Sequence, residues 1–182
     1  NKVNKLTWDD HTLSPMDLID AVWRDVPDFR EFYEVADGLF RTQLPAFDER
    51  VIRELLINAL VHRPYTQRGD VYLNLHVDRL EIVNPGLLPL GVTPDNVLHA
   101  SVRRNPHLAR LCHDLKLMES EGSGFDAIYD VLLSQGRPAP VVEEGPDWVR
   151  VTLARMAPDR QVLAFITKAG ESHPLTQRER IT

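Results

Sequence analysis

Apolar and polar positions alternate along this chain with two different periods, and the switches between them mark out its elements. Behind Ser14-Pro15, a favourable N-cap and first helical residue, Leu18, Ile19 and Val22 recur at helical spacing until Pro27 ends the run. EFYEVADGLFRT (residues 31–42) reads as two short strands around an Asp37-Gly38 turn. Residues 48–63 return to helical spacing and stop at Pro64. DVYLNLHVDRLEIVN (residues 70–84) then alternates in period two. Val71, Leu73, Leu75 and Val77 share one face, and Leu80 and Ile82 continue it after a tight Asp78-Arg79 turn, which predicts a hairpin.

NPGLLPLGVTP (residues 84–94) is too rich in proline and glycine to be regular. Thr93-Pro94 opens a short helix to His99, and residues 106–116 form another, with Leu108, Leu111, Cys112 and Leu115 inward. EGSG (residues 121–124) turns into a helix ending near Gln135-Gly136. Val141-Val142 and residues 148–153 make a last pair of strands around Gly145-Pro146. Antiparallel hairpins interleaved with helices predict an α+β fold, a two-layer sandwich, rather than a parallel doubly wound sheet.

The pattern changes after Pro158. Val162, Leu163, Phe165 and Ile166 give a helix, followed by a glycine turn and a second helix opening at Leu175-Thr176. This is how a winged helix-turn-helix begins, and equally how a single C-terminal helix with a frayed tail would read. The expected organisation is one domain over residues 1–157, with its core at 32–154. A linker and the truncated start of a helix-turn-helix follow over 158–182. An initial Asn and an unfinished helical pattern at Thr182 suggest a piece of a longer protein.

One helix carries a second pattern. On the helix of residues 48–63, where RELLINALVHRPY begins at Arg53, an apolar arc of Val51, Ile52, Leu55, Leu56, Ala59 and Leu60 borders a polar stripe of Arg50, Glu54, Asn58 and His62. Either the stripe faces water, with an Arg50/Glu54 pair of small value, or it faces a ligand. A carboxylate and an amide one turn apart are hard oxygen donors, suited to a magnesium ion or a polarised water. Two glycine loops bear on the choice. Gly86 follows a strand, and Gly122 and Gly124 precede a helix, whose free N–H groups and dipole favour an anion.

Composition narrows the picture. Of 182 residues, 43% are hydrophobic and 26% charged, enough for a packed core. The single cysteine, Cys112, excludes an internal disulfide, and no apolar run is long enough to span a bilayer, so a cytoplasmic protein with no membrane partner is expected. Net charge is −6, unevenly spread. Arg103, Arg104, Arg110 and Lys116 face only Asp114 between residues 101 and 116, a basic strip able to meet phosphates. His62 and His113 lack a third ligand at helical spacing, which argues against zinc. Trp8, Trp23 and Trp148 are read as core. No P-loop occurs in the chain, so it carries no helicase motor of that type.

Four phrases in order, RELLINALVHRPY, RLEIVNPGLLP, SVRRNPHLARL and LMESEGSGFDAI, resemble the GHKL (Bergerat-fold) ATPases of histidine kinases, gyrase and MutL. They are most similar to one branch, the C-terminal ATPase-like domain of proteins called RecG-related DNA helicases or transcriptional regulators, often found behind a Schlafen-type AlbA domain. The resemblance implies a GHKL sandwich that binds ATP with magnesium. Asn58 would stand at the magnesium-binding asparagine and Glu54 at the water-activating, catalytic glutamate. The nucleotide-binding set would be Asn58, His62, Asn84, Gly86, Arg103, Arg104, Asn105, Gly122, Ser123 and Gly124. Of these, Asn84 to Gly86 would form the adenine loop, Arg103 to Asn105 the lid and Gly122 to Gly124 the phosphate loop.

The chain departs from the pattern in four places. Asn84 replaces the adenine-binding Asp, Leu87 stands where this branch usually has a second glycine, Pro64 replaces an acid in HRPY, and the second loop is only EGSG. These changes fall on recognition residues. They favour a nucleotide-binding regulatory module over a slow magnesium-dependent ATP hydrolase, with a non-binding scaffold or homodimerisation domain as a further alternative. DNA is expected as a partner through neighbouring domains.

Overall fold

A computed structural model of the chain describes residues 6–9, 12–37, 40–100, 102–118 and 124–155. The segment 158–182, with its expected helix-turn-helix, and two predicted site residues, Gly122 and Ser123, lie outside this set.

Helix α1 (Pro15–Asp25) starts where Ser14 Oγ accepts from the Asp17 amide, satisfying one of the free N–H groups of the first turn. A 3₁₀ turn (Pro27–Arg30) leads into the hairpin of β1 (Phe32–Asp37) and β2 (Phe40–Pro45). Helix α2 (Glu49–His62) follows, capped by Asp48, whose carboxylate accepts from the Arg50 amide. Strands β3 (Tyr72–Leu75) and β4 (Arg79–Pro85) form the second hairpin. Helices α3 (Pro106–Asp114) and α4 (Gly124–Ser134) then precede β5 (Val141–Glu144) and β6 (Trp148–Ala154).

Four strands form one antiparallel sheet in the order β3-β4-β6-β5, and β1-β2 stand apart as a two-stranded sheet. The expected antiparallel mixture of strands and helices is therefore present. The last strand enters the middle of the sheet, between β4 and β5, so the sheet closes only when the C-terminal part of the domain arrives. Strand alternation then decides what each face carries. Leu80 and Ile82 of β4 and Leu153 of β6 point into one core with Val51, Ile52 and Leu55 of α2 and with Ile128 and Leu132 of α4. Phe29 joins it between Trp23, stacked at 5.9 Å, and the edge of Phe47 at 5.7 Å. On the opposite face Arg79, Glu81, Arg150 and Glu143 form a ladder of ion pairs. At the end of β6, Arg155 pairs with Asp28 at 3.1 Å and with Glu31, tying the sheet to the start of the first hairpin.

Five expectations need correction. The β3–β4 turn centres on Val77-Asp78, with the His76 amide bonded to the Arg79 carbonyl, and Val77 is 92% exposed rather than inward. Between Thr93 and His99 the structure holds turns and a 3₁₀ segment (Val97–His99), not an α-helix. On α3 it is Ala109 and Cys112 that are buried. Leu111 and Leu115 remain about half exposed, because the helix is too short and too peripheral to bury a full stripe. Trp148 lies against the Arg150 guanidinium, 4.5 Å from the ring, and not in the core. Arg50 pairs with Asp48 rather than Glu54.

Candidate functional site

The polar stripe of α2 turns inward after Arg50, which itself stays exposed. Glu54 is only 8% exposed and accepts from Asn58 Nδ2 at 3.2 Å. Their spacing of four residues makes that bond possible, since it stacks the two side chains on one helix face. Gly124, the first residue of α4, lies directly on the pair. A Cβ there would overlap Glu54 Oε1 and stand 3.4 Å from Asn58 Nδ2. A side chain at this position would displace the Glu54 carboxylate, whereas the glycine lets the positive end of α4 lie against it.

Beside this junction a cavity of about 160 Å³ opens between α2 and the inner face of the sheet. That is roughly ten times the space a single ordered water needs. Asn58, Ala59 and His62 form one wall, Ile82 and Asn84 of β4 with Val149 and Val151 of β6 another, and Leu87 to Pro89 the rim. Arg103, Arg104 and His113 stand at one end, and Gly124 with Phe125 at the start of α4. Of the predicted site residues, Asn58, His62, Asn84, Arg103, Arg104 and Gly124 meet here.

Asn84 continues the inward alternation of Leu80 and Ile82, and its Nδ2 donates to the Ala59 carbonyl at 2.7 Å. This bond gives a reason for Asn rather than Asp: a carboxylate would set acceptor against acceptor. The amide oxygen is left as the acceptor end.

Three predicted residues lie outside the cavity lining. Gly86, at φ +82°, bonds through its amide to the Asp147 carbonyl at 2.7 Å, and a Cβ there would come within 2.8 Å of Pro64. It turns the chain and packs on Pro64 rather than lining the cavity. Asn105 donates to the carbonyls of Val61 and Arg63, each at 2.7 Å, and so occupies acceptors that the end of α2 leaves unpaired. Glu54 sits behind Asn58, outside the lining.

Three contacts hold the rim: the Gly86 bond, the Leu88 amide to Glu144 at 2.6 Å, and Arg104 to the Leu87 carbonyl. Arg104 Nε is buried without a hydrogen-bond partner. Glu144 and Asp147 carry no motif that would have marked them, whereas the period-two pattern of β6 does predict Val149 and Val151 inward.

Burial lowers the His62 pKa, and the nearby Arg104 and Arg103 lower it further, so the imidazole is neutral at neutral pH. Burial raises the Cys112 thiol, as does the Glu54 charge, which leaves it unreactive. Among the described residues no three His, Cys, Asp or Glu side chains gather as a metal cage. Nor is any described helix long and apolar enough to cross a membrane.

Residues 69–153 match the family described as "Putative ATP-dependent DNA helicase recG C-terminal". The match agrees with the resemblance carried by the sequence phrases. It contains Asn84, Arg103, Arg104 and Gly124, and begins after the α2 residues. The crystal structure of the DIP2311 protein from Corynebacterium diphtheriae is similar, with a TM-score of 0.79 and 25% identity. The similarity covers 87% of this chain and 34% of that one, so this chain spans about a third of that protein's length. No curated protein matches the chain.

Proposed function

We propose that this chain, with the RecG-related ATPase-like segment at residues 69–153, is a GHKL-type nucleotide-binding module that regulates a DNA-binding protein of which it is part. The observation carrying this is the junction of Glu54, Asn58 and Gly124 at the edge of a cavity that Arg103 and Arg104 also line. A planar base fits between aliphatic walls near the Asn84 amide, and phosphates fit toward Arg103, Arg104 and the start of α4.

The residues present suit ATP with magnesium. Asn58 donates through its nitrogen to Glu54, which leaves its oxygen as a hard ligand. Magnesium takes few protein oxygens when phosphates and water complete its shell. When bound, magnesium would neutralise phosphate charge. Asn58 orients that end of the ligand, while Asn84 accepts from an amine on the base and Arg103 and Arg104 balance negative charge. Glu54, held by Asn58 and backed by Gly124, could take a proton from a water in a hydrolysing variant of this reading. Binding without turnover is favoured, because Glu54 lies behind the lining and its hydrogen bond to Asn58 restrains it.

Calorimetric titration with ATP and magnesium tests this. The native chain is expected to bind, and Asn58→Ala to bind about tenfold or more weakly, a change of about 1.4 kcal/mol. Absence of saturable binding at millimolar ATP would leave the fold as scaffold and refute the nucleotide reading.

A further inference from the structure

Most of the cavity wall is aliphatic, with Leu55, Ile82, Val142 and Val151 among its residues, and among the described residues no carboxylate lines it. Its polar groups are few, and those that carry or can acquire charge, Arg103, Arg104, His62 and His113, are all cationic or potentially so. The charge lies on the segment before α3 (Arg103, Arg104), at the end of α2 (His62) and in the last turn of α3 (His113), while the sheet supplies the apolar floor. An apolar chamber with a cationic end complements a ligand with an apolar body and one anionic head. The rim is held in place by the bonds at Gly86, Leu88 and Arg104, so the chamber exists before any ligand arrives.

We infer that this cavity is a site for an amphipathic monoanion, an aliphatic or aryl carboxylate, whose head meets Arg103 and Arg104 and whose body lies on Ile82, Val142 and Val151. This goes beyond the nucleotide reading and does not depend on it. Where both ligands bind, they exclude one another, which makes the carboxylate a negative signal for nucleotide occupancy.

Octanoate is the probe, titrated calorimetrically into the 182-residue chain, with hexanoate and octylamine alongside. Saturable binding of octanoate is expected, about fifteenfold tighter than hexanoate for two further buried methylenes. Octylamine, with the same body and the opposite charge, should not bind. Arg103→Gln should weaken octanoate at least about tenfold, a loss consistent with one charged contact. Val142→Phe fills the chamber from the edge strand and should abolish binding while the thermal unfolding midpoint shows the fold intact. No saturable octanoate binding, equal binding of octylamine, indifference to chain length, or unchanged affinity in Val142→Phe would each overturn the proposal. If ATP also binds, failure of octanoate to displace it would do so too. Failure of ATP to bind would refute only the nucleotide reading.

Discussion

Two polar clusters are buried along α2, one at each end, and they behave differently. At the start of the helix Arg137, 3% exposed, donates to the carbonyls of Ala46 and Pro45, and Gln135 donates to the Asp48 carboxylate at 2.7 Å. Burial pulls the Arg137 pKa down while Asp48 opposes the shift. Burial alone would raise the Asp48 pKa, but hydrogen bonds from Arg50 and Gln135 outweigh it and leave the carboxyl below its usual value. Most of these groups answer one another across the joint between β2, α2 and the end of α4, with Gln135 Oε1 and Arg137 Nε left without a hydrogen-bond partner. At the other end Glu54, Asn58 and His62 are also largely buried, yet their stripe leads into a cavity. A buried charge by itself is therefore not a sign of function here. What separates the two is whether the polar groups enclose each other or border space that a ligand can fill.

The largest effect that would sharpen this contrast is Arg137→Met. It removes the donors to two carbonyls and one of the cations near Asp48, and should cost about 3 kcal/mol in urea unfolding. The ligand affinity of the folded fraction should be unchanged. A loss of affinity without a loss of stability would make the two clusters one site.

Asn84→Asp comes next. It replaces a donor to the Ala59 carbonyl by an acceptor and should cost about 2 kcal/mol at neutral pH. The new carboxyl, raised in pKa by its surroundings, regains stability when protonated, so the deficit should shrink as pH falls. A deficit independent of pH would mean that the carbonyl contact is not its source.

The smallest effect belongs to His62. Its folded pKa lies below the value of about 6.5 that an unfolded chain shows. The unfolded state therefore takes up protons first, and stability falls as pH drops from about 6.5 toward the folded pKa. His62→Gln should remove that part of the pH dependence, as read from unfolding midpoints at neutral and mildly acidic pH. An identical slope in the variant would show that other groups set it.

Much of this fold was legible beforehand because its signals are local. Ser14-Pro15 and Asp48 announce helices by chemistry that acts within one turn, and the period-two run over residues 70–84 leaves little choice but a hairpin. Glu54 and Asn58 could be singled out because a four-residue interval on a helix is already a spatial relation. Val77, Leu111 and Leu115 were misplaced because hydrophobicity says that a side chain prefers burial, not that a neighbour is there to bury it.

Taken alone, then, the sequence determined α1 to α4, the hairpins and the placing of Glu54 beside Asn58 on one helix face, since each depends on residues within a few positions of one another. The tertiary structure decided the rest. Only the packing of α4 on α2 sets Gly124 against Glu54 and Asn58, and only the entry of β6 beside β4 completes the cavity floor. Asn105, 44 residues from Val61, closes the end of α2, while Asn84, 25 residues from Ala59, turns inward to meet it. Contacts across such separations are set by how the layers stack, and no local pattern of residues encodes them.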